Sequence, residues 1–303
     1  MSHKLRVQIP ALLLLLALPL AAQDTVFRSD SRLVVLHATV LDSSGRLVTD
    51  LPKSAFRVYE NGAAQDIKVF RQEDAPVSIE LVIDDSGSMT NKRQKVAASA
   101  LALVEASHPD DEVSVIHFNE KSYLDTSFTH DRKQLERALS TFNTRGTTAM
   151  REAVRLAIAH LENQASEDKK ALILITDGED NESSTSVEYL VKAAQQSGIL
   201  IYGVGILTEV DDDETRRAKH EIDALTQATG GQSYYLKDVS EATATAQAIA
   251  NVIRNQYTLA YTPVDQEMDG TFRKIQVSIV DRPELMVRTR SGYWAGKTTA
   301  AAK

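Results

Sequence analysis

Between residues 76 and 255 short apolar runs alternate with helical patterns, and this alternation constrains the fold more than any other feature of the chain. The runs S-I-E-L-V-I, E-V-S-V-I-H-F, A-L-I-L-I-T and I-L-I-Y-G-V-G-I are largely apolar at consecutive positions, as strands buried on both faces must be. Helical patterns lie near residues 92–107, 132–142, 149–163, 187–196, 215–229 and 239–255. Parallel strands need crossover connections, which helices supply, so this stretch is expected to form a mostly parallel sheet covered on both faces.

The flanks have a different rhythm. From residue 31 to 72 the runs L-V-V-L-H-A-T-V-L, R-L-V-T-D-L, F-R-V-Y and D-I-K-V-F are separated by turn residues, and Asn61-Gly62 between alternating runs predicts a hairpin. After residue 256 the chain returns to strands with Y-T-L-A-Y-T, F-R-K-I-Q-V-S-I-V, L-M-V-R-T-R and G-Y-W. In a doubly wound domain the first strand starts, and the last helix ends, on the face opposite the strand carboxyl ends. Both flanks therefore emerge together. The expected organisation is a β segment at 23–75 pairing with another at 257–297, an α/β domain at 76–256 inserted between them, and a disordered tail at 298–303.

The amino-terminal residues 1–22 read as a secretory signal peptide: Lys4 and Arg6 precede the run I-P-A-L-L-L-L-L-A-L-P-L, which ends in the small residues Ala21 and Ala22. That run, broken by Pro10 and Pro19, is too short to cross a bilayer, so the mature chain is expected to be secreted or periplasmic with no membrane span. Export permits disulfides, yet the chain has no cysteine, which leaves its core and any bound ions to hold the fold. Loss of Lys4 and Arg6 takes the formal net charge from −8 to −10, and no polybasic run remains. Nucleic acid and anionic membranes are thereby poor partners, whereas cations and basic surfaces are good ones.

Directly after the first parallel strand, Asp84, Ser86 and Ser88 form D-x-S-x-S. Asp177 ends the strand A-L-I-L-I-T and opens the turn D-G-E-D, and parallel strands place Asp84 and Asp177 at one edge of the sheet. A third loop, R-G-T-T-A-M, offers the hydroxyls of Thr147 and Thr148. Carboxylate and hydroxyl oxygens are hard ligands suited to magnesium, manganese or calcium.

These three loops resemble the von Willebrand factor type A domain over residues 76–256, which implies a doubly wound, Rossmann-like α/β fold. By the same resemblance Asp84, Ser86, Ser88, Thr148 and Asp177 would form a metal-ion-dependent adhesion site, with Mg2+ as its ion and Mn2+ or Ca2+ as alternatives. Thr148 is preferred to Thr147 because it falls at the ligand position when A-M-R-E-A-V is aligned with the family's helix start. Asp85 departs from the small neutral residue common there; it is expected to be a solvated side chain, with a role in strengthening cation binding as the alternative. The flanks, with V-x-D-x-x-G-x-x-V-x-D-L, F-x-V-Y-E-N-G and R-S-G-Y, resemble the secreted VWFA-related Acidobacterial domain family, a likeness that bears on architecture more than on activity.

Other chemistries find less support. G-Y-W-A-G-K-T at 292–298 has one residue too few between its glycines for a phosphate loop, and no G-x-S-x-G elbow occurs. D-D-S-G-S lacks the second carboxylate of an aspartate phosphotransferase, Ser86 standing in its place. The histidines lack H-E-x-x-H spacing, and His117 reads as a structural residue. D-D-D-E at 211–214 reads as a solvated loop and helix start. The expected function is an exported, non-enzymatic, metal-dependent binding or adhesion module whose ion accepts a carboxylate from a partner protein. Two alternatives stand beside it: a structural envelope component with a non-essential metal site, and a metal-dependent hydrolase with Glu179 or Asp180 as its base.

Overall fold

The computed structural model describes residues 33–72, 74–140, 144–207 and 213–296. The expected signal peptide, the tail at 298–303 and Asp211 and Asp212 lie outside them. Among the described residues no helix is long and apolar enough to cross a membrane.

The amino-terminal flank contributes β1 (Val34–Leu41), β2 (Phe56–Glu60), β3 (Ala63–Gln65) and β4 (Ile67–Arg71). The α/β part follows with β5 (Val77–Asp84), α1 (Arg93–Ala106), β6 (Glu112–Phe118), β7 (Ser122–Thr129), α2 (Arg132–Ser140), α3 (Met150–Gln164) and β8 (Lys169–Thr176). It continues with α4 (Val187–Ser197), β9 (Leu200–Gly205), α5 (Asp213–Thr229), β10 (Ser233–Tyr235) and α6 (Ala242–Arg254). The chain closes with β11 (Tyr257–Tyr261), β12 (Phe272–Ile279), β13 (Met286–Arg288) and β14 (Gly292–Trp294).

The central sheet has the order β10-β9-β8-β5-β6-β7. Its strands pair in parallel except β7, which runs antiparallel to β6. Every residue of β5 is buried, and its side chains divide between two cores. Ile79, Leu81 and Ile83 pack with Val96 of α1, Leu135 of α2 and Ile249 of α6, while Val82 packs with Val154 of α3, Leu190 of α4 and Ile222 of α5. Apolar continuity in the sequence thus records helices on both faces. Two strands are not evident from the sequence. β7 is an edge strand of S-Y-L-D-T-S-F-T in which only Thr126 is buried, so it lacks an apolar run and is defined by its pairing to β6. β10 has three residues and no fully buried side chain.

The two flanks form one β unit, as the sequence implied. One sheet has the order β13-β1-β11-β4 and the other β14-β12-β2-β3, each mixing strands from both ends of the chain. Leu36, Val40, Tyr257 and Leu259 of the first share an apolar core with Phe56, Val58, Ile275 and Tyr293 of the second. Asn61 and Gly62 connect β2 to β3 with φ of 48° and 83°, positive at both positions as a type I′ hairpin turn requires. Residues 71 and 258 are partners in the β4–β11 ladder, so the chain leaves and re-enters the β unit side by side. An ion pair of Arg254 with Asp74 at 2.5 Å, and a bond from Arg254 to the Ala106 carbonyl at 3.2 Å, fasten that junction.

Among the described residues the β2–β3 hairpin is the one strand ladder internal to the amino-terminal flank, because β1 and β4 both pair with β11. Residues 23–75 expressed alone are therefore expected to show no cooperative unfolding transition in urea, whereas residues 76–256 should unfold cooperatively. A sigmoidal transition in the short fragment would contradict the pairing.

Candidate metal centre

β5 and β8 are adjacent and parallel, with Ile83 beside Ile175, so Asp84 at the end of β5 and Asp177 just past the end of β8 reach the same sheet edge. After Asp84 the chain makes a short turn at residues 87–89 and enters α1. Met89, 1% exposed, sits in the core beneath and anchors the loop.

The loop groups form a connected run of hydrogen bonds. Thr176 donates its hydroxyl to Asp84 Oδ2 at 2.6 Å, and Asp84 Oδ1 accepts the Ser86 amide at 2.8 Å. The Ser86 and Ser88 hydroxyls are 3.1 Å apart, and Ser88 donates to Asp177 Oδ1 at 2.7 Å. The second oxygen of Asp177 accepts from the Lys92 ammonium at 2.5 Å. Burial raises the Asp84 carboxyl to about 6; hydrogen bonds from Thr176 and Ser86 oppose the rise, and the neighbouring charge of Asp177 adds to it. Two carboxylates this close, one of them 2% exposed, favour a cation between them.

Residues 144–149 are stitched to this edge. Arg145 donates its amide to the Asp85 carbonyl at 3.0 Å, Gly87 to the Gly146 carbonyl at 3.2 Å, and Ala149 to the Asn119 carbonyl at 2.8 Å. Gly146 has φ +77°, a backbone conformation that residues with a Cβ rarely adopt, which favours glycine there. Thr148 is 5% exposed. Its amide donates to Asn181 Oδ1 at 3.0 Å, and its carbonyl accepts from the Asn181 amide at 3.1 Å. The Thr147 hydroxyl instead donates to Glu182 at 3.2 Å.

The structure therefore joins Asp84, Ser86, Ser88 and Asp177 by direct bonds and ties the Thr148 backbone to the loop that follows Asp177. It corrects the expectation for Asp85. That residue is 1% exposed rather than solvated, its backbone amide bonding Phe118 O at 2.7 Å and so fixing the loop against β6. Sequence reasoning also missed residues that hold the site. Thr176 stands in T-D-G, where a hydroxyl before the aspartate was the available signal. Asp180 was read only as a candidate base, and Lys92, Arg151 and Glu152 gave no signal. Asp180 accepts the Arg151 amide at 2.7 Å at the start of α3 and its guanidinium at 3.3 Å, while Glu152 accepts the amides of Ser184 at 2.9 Å and Thr185 at 3.0 Å. These bonds weld the loop after Asp177 to α3. His117, expected to be structural, bonds Asp125 at 2.7 Å, and Asp213 and Glu214 lie in the first turn of α5.

The sequence model of the von Willebrand factor type A domain matches residues 78–249, more than half of the chain. The chain belongs to that family. Calcium-activated chloride channel regulator 1 of Mus musculus is 27% identical over 198 residues, which are 63% of this chain and 20% of that protein. The Sus scrofa protein of the same name is 27% identical over 169 residues, 53% of this chain and 17% of that one. The chain thus spans about a fifth of these curated relatives. Among solved structures, von Willebrand factor type A from Catenulispora acidiphila is 16% identical with a TM-score of 0.52, covering 89% of this chain and 64% of that one. Proximal thread matrix protein 1 from the mussel byssus, in a structure with a zinc occupied MIDAS motif, is 17% identical with a TM-score of 0.50, covering 64% and 49%. At such identities the structural likeness shows a von Willebrand factor A fold and nothing more.

Proposed function

We propose that this von Willebrand factor A chain is an exported binding or adhesion module that uses a divalent cation to bridge to a carboxylate of a partner protein. The observation that carries the reading is the hydrogen-bonded run Thr176–Asp84–Ser86–Ser88–Asp177, joined at Ser86 through its backbone amide and terminated by the Lys92 ammonium. An all-oxygen donor set that already engages a side-chain cation fits a hard divalent ion, Mg2+ first and Mn2+ or Ca2+ next. The zinc-occupied motif of the mussel protein supports a metal at this place in the fold.

Asp84 and Asp177 would supply negative charge, Ser86 and Ser88 neutral oxygens, and Thr148 the hydroxyl of the R-G-T-T-A-M loop. Thr147 is the weaker candidate because its hydroxyl is directed to Glu182. When bound, the ion offers a coordination position that a partner carboxylate completes and a neutral or basic group does not. Thr176 and the Ser86 amide orient the buried Asp84, and the bonds of Asn181, Asp180 and Glu152 hold the loop after Asp177 so that Asp177 is presented without rearrangement. A hydrolytic reading would need a base, and both nearby candidates are engaged: Glu179 by Arg217 at 2.5 and 2.8 Å, Asp180 by Arg151. Secretion or a periplasmic location follows from the signal peptide read in residues 1–22.

The test is metal dependence measured twice. Mg2+ or Mn2+ at about 100 times its Kd should raise Tm by about 5–10 °C over chelator-treated protein. Thr148→Ala should lose most of that increment and Thr147→Ala little of it. Capture of a partner from envelope extract should likewise require metal. Capture unaffected by chelation would favour the structural role, and equal responses of the two threonine variants would remove Thr148 from the site.

A further inference from the structure

We propose that Lys92 is a built-in counter-cation of the metal site, occupying Asp177 when no metal is bound and lowering the site's affinity for divalent ions. The inference rests on the reading of Asp177 as a metal ligand. It goes beyond that reading by assigning a role to a residue outside the ligand set.

Lys92 sits at the N-cap position of α1, four residues after Ser88 in the sequence, and its amide bonds the Met89 carbonyl at 2.9 Å. The backbone is therefore fixed beside the loop that carries Ser86 and Ser88. Its side chain is 27% exposed and reaches Asp177 Oδ2 at 2.5 Å, a carboxylate whose own side chain is 0% exposed. Asp177 thus divides its two oxygens between Ser88 on the ligand side and an ammonium on the other. A carboxylate without exposure needs a partner charge, and in the metal-free protein Lys92 supplies it. A divalent ion entering among Asp84, Ser86 and Ser88 meets a carboxylate already half neutralised. It must also approach the ammonium that holds Asp177 Oδ2. Both effects oppose binding, and a half-buried setting screens them less than bulk water would.

Lys92 should therefore affect the two states in opposite directions. It stabilises the metal-free fold and weakens the metal complex, so that the site fills only when the divalent ion is abundant. A residue that merely props the loop would favour both states together.

The experiment is calorimetric titration of Mg2+ and Mn2+ into chelator-treated wild type, Lys92→Met and Lys92→Arg, with Tm recorded without metal. Methionine keeps most of the aliphatic stem and removes the charge; arginine keeps the charge. The expected result is about tenfold tighter metal binding or more for Lys92→Met, together with a lower metal-free Tm. Lys92→Arg should stay within about threefold of wild type, at roughly 1.4 kcal/mol per tenfold step. If wild type binds metal and Lys92→Met binds it equally or more weakly, the counter-cation role is overturned while the metal site stands. If wild type and both variants take up no metal, the metal site itself is refuted and this role with it.

Discussion

Replacing His160 with leucine is expected to destabilise the protein by about 3–5 kcal/mol, the usual cost of leaving a buried charge without its partner. Glu80 lies in the middle of β5, 0% exposed, with Ser114 of β6 on one side and Leu172 of β8 on the other. Its Oε2 is 2.6 Å from Nδ1 of His160, which projects from α3 and stacks on Phe128 with ring centroids 5.0 Å apart. Burial raises the Glu80 carboxyl, and the bond to Glu80 raises the His160 imidazole above its ordinary 6.5. With the folded value above the unfolded one, the stability that His160 contributes is complete below pH 6.5 and is lost as pH rises through the raised value. Burial also raises Glu80, whose ionisation costs stability as pH climbs through its raised value, and the bond to His160 opposes that cost. Urea unfolding of wild type should therefore show stability falling as pH rises above 6.5 and through the raised His160 value. His160→Leu should flatten the upper part of that slope. The double variant Glu80→Leu, His160→Leu should recover much of the loss, since removing a buried pair costs less than breaking it. A loss below about 1 kcal/mol in the single variant would mean that Glu80 is not held ionised by His160.

The parts of the fold that were legible in the sequence are those in which local composition and tertiary environment agree. β5, β8 and β9 are buried on both faces, so their apolar runs announce them. The Asn61-Gly62 turn is read from chemistry alone, because few other dipeptides accept positive φ twice. The pairing of the flanks followed from where a doubly wound domain begins and ends, and the β4–β11 ladder beside the Asp74–Arg254 pair is its physical form. β7 was not legible because an edge strand needs only one buried face, and its Tyr123 and Leu124 are exposed.

The site divides in the same way. Asp84, Ser86, Ser88 and Asp177 stand at loop positions where a carboxylate or hydroxyl has no packing role, so their pattern could be read. The residues that set their electrostatics are contacts across long sequence separations. Lys92 meets Asp177 across 85 positions and Thr176 meets Asp84 across 92, distances over which no spacing rule operates. Asp85 misled for a related reason: an acidic side chain in a loop is usually solvated, but here the bonds of its backbone to Phe118 and Arg145 draw it beneath the loop.

Asp84→Asn should separate binding from folding more sharply than any other change at the site. Asparagine has nearly the shape of aspartate and can still accept the Ser86 amide through its carbonyl oxygen. Thr176 loses Asp84 Oδ2 as an acceptor, but its hydroxyl can turn to accept from the new amide or donate toward Gly178 O, 3.5 Å away. What disappears is a negative charge 2% exposed and close to a second carboxylate. Without metal that charge works against the fold, since burial lifts the carboxyl from 3.8 to about 6. Its removal is expected to stabilise metal-free protein by about 1–3 kcal/mol, because each tenfold change in proton affinity between the folded and unfolded chain is worth roughly 1.4 kcal/mol. With metal the sign should reverse, because in the proposed site the same charge holds the ion. Loss of even an outer hydrogen-bond partner commonly weakens metal binding about 10–100-fold, so loss of this carboxylate should cost about 100-fold or more and erase the rise in Tm on adding Mg2+. Thermal unfolding of both proteins, each with chelator and with Mg2+, gives four melting points that decide the matter. A variant more stable than wild type in chelator and indifferent to Mg2+ would show that the fold bears the cost of Asp84 for the sake of a cation. A variant less stable in chelator that still gains from Mg2+ would make Asp84 a structural residue and place the metal elsewhere.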